Sequence, residues 1–335
     1  MNVDLWVWVV TILVIVGFFV FDFFSHVRVP HAPTMKESAW WSAFYIAISI
    51  IFGIGVWYFW GSERGIEFFS GYITEKALSV DNLFVFLIIM TSFRVPREFQ
   101  QKVLLIGVVM ALVMRGIFIA LGAAVINQFS WVFYIFGAFL IYTGWKLTQD
   151  NGHGEDEDYD NAFMRLVRRI LPTTDDYHGD AITVKHQGRR YITPMAMVIV
   201  AIGSADLLFA LDSIPAIYGL TDEPYIVFTA NAFALMGLRQ LYFLLGGLLQ
   251  RLVYLSYGLA AILAFIGVKL ILHAMHTNEL SFINGGQHIE WAPEIPTWVS
   301  LLVIVGILLV ATVASLMKTR GDAAPGAHTA DPAAH

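Results

Sequence analysis

Two short stretches of the chain carry carboxylates inside runs that are otherwise nearly free of charge. One reads Glu75-Lys76-Ala77-Leu78-Ser79-Val80-Asp81-Asn82, the other Asp206-Leu207-Leu208-Phe209-Ala210-Leu211-Asp212-Ser213-Ile214-Pro215, and in each two acids stand six residues apart. A carboxylate in a bilayer costs at least ~2.5–3.5 kcal/mol on insertion scales, so it is expected to face a polar interior. Two matching clusters point to a site for a cation. On a continuous helix, residues six apart differ by about 240° in azimuth, so the two acids of one motif do not share a face. The tighter pairing is across helices, with Asp81 and Asn82 facing Asp212 and Ser213. Carboxylate, amide and hydroxyl oxygens are hard donors that suit Mg2+, Ca2+ or Mn2+ rather than copper or zinc. Glu75 and Asp206 then serve as relay, gate or supporting groups, which makes Glu75, Asp81, Asn82, Asp206, Asp212 and Ser213 the candidate metal-site residues.

Two arginines, Arg115 and Arg239, lie in the middle of apolar runs. If both face the cavity, four carboxylates and two guanidiniums leave two negative charges, which one divalent ion neutralises. An empty site would favour protonating one or two acids, because burial and like charges raise carboxylate pKa values. The competing reading makes the arginines structural partners of Asp81 or Asp212. Glu75 and Lys76 could likewise be an ion pair at the membrane interface, and Asn82 and Ser213 could serve only as hydrogen-bonding groups between helices. His273 and His276, with Glu279 nearby, have metal-ligand spacing, but a solvated helix boundary is the favoured reading.

These residues must be positioned by membrane-spanning helices. Hydrophobic residues make up 58% of the 335 and charged residues 14%, against roughly 25% charged in a soluble domain. With no cysteine, thiolate metal sites and redox dithiols are excluded. Apolar stretches near 3–24, 40–60, 72–93, 103–125, 131–147, 194–220, 226–250, 254–273 and 297–317 predict an all-α polytopic membrane protein with about nine spans. The first stretch lacks a basic leader and reads as a retained helix. Of the 20 Lys and Arg, fifteen fall in the loops after helices 1, 3, 5 and 7 or in the tail, and only Arg64 falls on the other side. That bias places the N-terminus outside and the C-terminus in the cytoplasm.

The transmembrane domain is expected over 1–318, with a cytoplasmic loop at 148–193 and a disordered tail at 319–335. The loop holds an amphipathic stretch, Phe163 to Leu171, and a candidate β-hairpin from Val184 to Tyr191 around Gly188. The acidic motifs recur three helices apart, each followed by a helix with a central arginine. This predicts an inverted repeat of helices 3–5 and 6–8, a plan common in secondary transporters, with Pro215 and Gly219 interrupting helix 6.

At these motifs the sequence resembles the TerC family of integral membrane proteins. The resemblance rests on Glu75 to Asn82 with Leu83-Phe84-Val85-Phe86, on Asp206 to Ala216, and on Pro224 to Thr229. It rests also on Leu238-Arg239-Gln240-Leu241-Tyr242-Phe243 and on the loop phrase Leu171 to Gly179. It implies a bacterial plasma-membrane protein that exports manganese, with the motif carboxylates as ion ligands. A departure is Gly203-Ser204-Ala205, where relatives often carry an acid. No nucleotide-binding G-x-x-x-x-G-K-[ST] occurs, so energy would come from an ion gradient, and exchange of Mn2+ for protons is the expectation. The alternative is a membrane accessory protein that delivers or senses metal for partner proteins, docking through 148–193. Beyond the bilayer and the divalent cation, membrane-protein partners and self-association are open. No cofactor, nucleic acid or enzymatic activity is expected.

Overall fold

The computed structural model describes residues 3–27, 33–128, 131–149, 179, 181–186, 189–245, 254–278, 287, 289 and 291–322. The side chains of 26, 27, 81, 84, 92, 125–128, 185, 186, 189, 190, 212, 245 and 319–322 are excepted. Among the described residues ten α-helices follow in order: α1 Leu5–Asp22, α2 Met35–Trp60, α3 Ser62–Ser92, α4 Arg97–Gln128, α5 Val132–Gln149, α6 Pro194–Tyr218, α7 Pro224–Leu235, α8 Leu238–Leu245, α9 Leu255–His276 and α10 Thr297–Asp322. A single turn of π-helix, Phe23–Val27, extends α1. This is a polytopic helical membrane protein.

Each of the nine expected apolar stretches contains helix among the described residues, though 226–250 is divided at Met236 and Gly237. Among the described residues, seven segments are long and apolar enough to cross a membrane: α1, α2, most of α4, α6, α7 with α8, α9 and most of α10. Two expected spans fall short of that measure for visible reasons. The 31 residues of α3 hold Glu63, Arg64, Glu67, Glu75, Lys76 and Asp81, and the 18 residues of α5 end in Trp145-Lys146-Leu147-Thr148-Gln149. The charges of α3 are tolerable because Glu67 and Glu75 are buried against other helices.

Local chemistry sets the helix ends. Thr34 and Glu37 form a reciprocal capping box at the start of α2, and Pro194 and Pro224 open α6 and α7, where the missing N–H costs nothing. The interruption lies elsewhere than expected. Pro215 sits inside α6, which runs on unbroken to Tyr218. The next span is the broken one: Met236 is extended (ψ 134°) and Gly237 takes φ +75°, separating α7 from α8. Glycine is required there twice over. The positive φ disfavours other residues, and an added Cβ would lie 2.9 Å from the Cβ of Tyr45.

Neighbouring helices are locked by close contacts. Gly137 of α5 and Gly267 of α9 meet backbone to backbone: a Cβ on either would lie 2.7 Å from the other's carbonyl oxygen. On α3 and α6, Gly71 faces Ile217. The same glycine faces Ala230 of α7, and five residues further along α3 Lys76 bonds to Ala234, so α3 and α7 run in the same direction. The loop hairpin is present, β1 Thr183–His186 pairing antiparallel with β2 Arg189–Ile192 and Val184 opposite Tyr191. The amphipathic stretch 163–171 lies outside the described residues. Helix α10 continues to Asp322, four residues into the segment expected to be a disordered tail, and 323–335 lie outside the described residues.

Candidate cation site

The centre of the molecule is an arginine held between two carboxylates from different helices. Arg115 of α4 donates through Nη1 to Glu75 Oε1 of α3. It also donates through Nη2 and Nε to the two oxygens of Asp206 of α6, at 3.1 and 3.4 Å. The three side chains are 0%, 0% and 2% exposed. Ser79, one turn along α3, adds a hydroxyl donor to Glu75 Oε1 at 3.3 Å. A guanidinium is suited to this place because its planar fork serves two acids at once.

Glu75 Oε2 is buried without a hydrogen-bond partner, and so are Thr74 Oγ1 on α3, Ser213 Oγ on α6 and both ends of the Asn231 amide on α7. Buried polar groups are normally paired, so these unpaired atoms on three helices that touch one another are exceptions. One guanidinium against two carboxylates also leaves the cluster at one negative charge.

Of the six residues expected at a metal site, Glu75 and Asp206 are brought together through Arg115. Asn82 and Ser213 are buried, 6% and 1% exposed, on α3 and α6. Asp81 and Asp212 lie on the backbones of the same two helices, and their side chains fall outside the described residues. Among the described residues no three His, Asp or Glu side chains come together as a metal cage. The contact of Gly71 with Ile217 also fixes a level for the motifs. If α3 and α6 run antiparallel at a common rise of about 1.5 Å per residue, Glu75 lies level with Ser213 and Asn82 with Asp206.

Other residues take roles the sequence did not indicate. Arg239 does not join this centre. It bonds through Nη2 to Asp22 Oδ1 at 2.7 Å and through Nη1 to Gln101 Oε1 at 2.8 Å. Tyr45 and Gln240 donate to the same Asp22 oxygen at 3.0 and 3.1 Å. The available signal was Asp22 itself, a lone acid at the end of the first apolar run. Lys76 does not pair with Glu75: its ammonium bonds to the carbonyls of Ala234 and Met236 at 2.9 and 3.2 Å.

Toward the N-terminal end of α3 a cleft of about 800 Å³ opens between α3, the end of α6 with residues 219–223, α9 and the start of α10. Its charged lining includes Arg64, Glu67, Asp222, Glu223, Lys269 and His273. Arg64 holds Glu67 at 2.9 Å and Glu223 at 3.2 Å, and Thr221 donates to Glu67 at 2.7 Å. Burial pushes the Asp222 carboxyl above its usual range, against the opposing pull of His273 and Lys269. Glu67 is eight residues from Glu75, about 12 Å along α3 at 1.5 Å per residue. His273 stacks edge-on against Phe133 with ring centres 5.1 Å apart, and His276 reaches Glu294 at 3.6 Å.

A helical membrane protein with a fully buried, net-anionic charge cluster defines the class. Residues 60–323 match the model of the integral membrane protein TerC family, and the chain belongs to that family. It is 50% identical over 321 residues to an uncharacterized membrane protein of Mycobacterium tuberculosis (strain ATCC 25618 / H37Rv), covering 95% of this chain and 80% of the relative. It is 41% identical over 293 residues to an uncharacterized membrane protein of Myxococcus xanthus, covering 88% and 86%. It is 39% identical over 292 residues to Alx of Escherichia coli (strain K12), named as a candidate membrane-bound redox modulator, covering 84% and 85%. No solved structure matches the chain.

Proposed function

We propose that this protein is a secondary transporter that moves a divalent cation, Mn2+ by preference, out of the cytoplasm in exchange for protons. The observation that carries this reading is the buried centre of Glu75, Arg115 and Asp206, with its excess negative charge and the unpaired oxygens of Glu75 and Ser213. Asp81 and Asp212 stand on the same two helices and would complete the oxygen ligand set with Asn82 and Ser213. Arg239 is neutralised by Asp22, so it drops out of the charge balance. Four carboxylates against Arg115 alone leave three negative charges. A divalent ion lowers that to one, and a proton can take up the remainder. Alternating occupancy by metal and protons is a chemical basis for exchange, because ligands bind metal deprotonated and release protons on binding.

The basic bias of the loops orients the N-terminus outward and the C-terminus inward in a bacterial plasma membrane. On that orientation the cleft beside Glu67 is the outer vestibule. The name of the E. coli relative speaks of redox. This chain has no cysteine, so a redox effect would act through the ion it moves.

The test is flux in proteoliposomes loaded with Mn2+. Efflux driven by an opposing proton gradient is expected to acidify the lumen, and Asp81→Asn and Asp212→Asn are each expected to abolish it while the protein still inserts. Flux in either variant equal to wild type overturns the site. Metal binding without flux in the wild type would support the accessory role instead, and a rate unchanged by collapsing the proton gradient at constant voltage would overturn the coupling.

A further inference from the structure

The break between α7 and α8 already holds a cation, and that cation belongs to the protein. Lys76 of α3 reaches across to the break and donates from Nζ to Ala234 O at 2.9 Å and to Met236 O at 3.2 Å. It forms no ion pair among the described residues. An ammonium in a hydrophobic setting normally seeks a carboxylate. Here it is satisfied by carbonyl dipoles alone.

Those carbonyls are free because the helix stops. Met236 leaves helical geometry with ψ 134° and Gly237 follows at φ +75°, so the last turn of α7 loses its intrahelical acceptor role. One turn back along α7, on the face shared by residues three and four apart, Asn231 is fully buried with neither end of its amide bonded. Two backbone carbonyl oxygens on one resident positive charge, with an unpaired carboxamide one turn back on the same helix, make up the candidate cation site. Unwound backbone of this kind coordinates monovalent ions in other membrane folds.

We propose that the α7–α8 break is a monovalent-cation site permanently occupied by the Lys76 ammonium, and that removing the lysine opens it to a free cation of ammonium size, K+ or Tl+. The distances set the class. Contacts of 2.9 and 3.2 Å match a large, weakly hydrated cation whose shell is replaced by carbonyls. A small divalent ion such as Mg2+ requires oxygen contacts of about 2.0–2.1 Å. The tethered charge gives the chain a cation at this position whatever the surrounding salt. It also ties the break to α3, one residue from the Glu75 that binds Arg115. The inference stands independently of the transport reading.

The experiment is thermal unfolding of purified wild-type and Lys76→Ala protein in detergent, at constant ionic strength, in K+, Tl+, Na+ or choline. Wild type is expected to melt at one temperature in all four. Lys76→Ala is expected to melt several degrees higher in K+ or Tl+ than in choline, with a saturable dose dependence, since a ligand that binds only the folded state stabilises it by mass action. Anomalous scattering from Tl+ should then place the ion beside Ala234 O and Met236 O. Equal melting of Lys76→Ala in all four salts, or an equal rise with every cation, overturns the proposal. Should Lys76→Ala fail to fold in every salt, Lys76→Gln is read by the same criteria, and its indifference to K+ is equally fatal.

Discussion

The two buried arginines sit in opposite kinds of environment. Arg115 is outnumbered by acceptors: two carboxylates converge on it and Glu75 Oε2 is left over. At Arg239 the balance is reversed. One oxygen of Asp22 receives Arg239, Gln240 and Tyr45, while Arg239 Nε and Gln240 Oε1 are buried without hydrogen-bond partners. The first arrangement is a buried centre with more carboxylates than guanidiniums. The second is a donor-rich latch that draws α1, α2, α4 and α8 together. Two arginines that the repeat reading puts at corresponding places thus meet different surroundings, one between two carboxylates of α3 and α6 and the other on a single carboxylate of α1.

Removing an arginine tests the difference most strongly. Arg115→Ala leaves Glu75 and Asp206 buried without a counter-charge, and losing one partner of a buried ion pair costs about 3–5 kcal/mol. Chemical or thermal unfolding should show that loss, and ion flux should disappear with it; a stability within about 1 kcal/mol of wild type would show that the centre is solvated. Asp22→Asn should cost less, about 1.5–3 kcal/mol, because the amide oxygen can still accept one donor while the charge-assisted bonds are weakened. Its flux, measured on the folded fraction, should remain near wild type. Abolished flux in folded Asp22→Asn would move the latch into the transport machinery. Tyr45→Phe removes one donor to Asp22 while Arg239 and Gln240 remain, and should cost about 1 kcal/mol in unfolding with no change in flux.

The smallest effect concerns the cleft. The Asp222 carboxyl is raised by burial, so the folded protein holds its proton more tightly than the unfolded chain. Its contribution to stability is therefore fully present below the unfolded pKa and is lost as pH rises through the folded value. Asp222→Asn removes this slope. The variant should gain stability relative to wild type at neutral pH and lose that advantage in acid. A melting-temperature difference that does not vary with pH would show that Asp222 is no more buried than in the unfolded chain.

The sequence by itself determined a good deal. Apolar length and low charge dictated helices at all nine stretches, because a backbone in hydrocarbon must satisfy its own hydrogen bonds. The alternation around Gly188 was enough to specify the hairpin, whose pairing is local. The cost of burying Glu75 and Asp206 in apolar runs marked both as groups that must find a polar partner, and their family-specific phrases placed the chain among TerC proteins. What the tertiary structure decided was partnership. Arg115 and Arg239 look alike in sequence, but which acid each one meets depends on helix packing, and Asp22 and Arg239 are more than 200 residues apart in the chain. The position of the helix break was equally invisible. Pro215 is the stronger local signal, but a proline in a packed helix forfeits one hydrogen bond that neighbours can tolerate, whereas at Gly237 the approach of Tyr45 and the reach of Lys76 hold the backbone open. Composition reveals which groups need a partner. Only the packing of distant segments, through distance and desolvation, determines which partner they find.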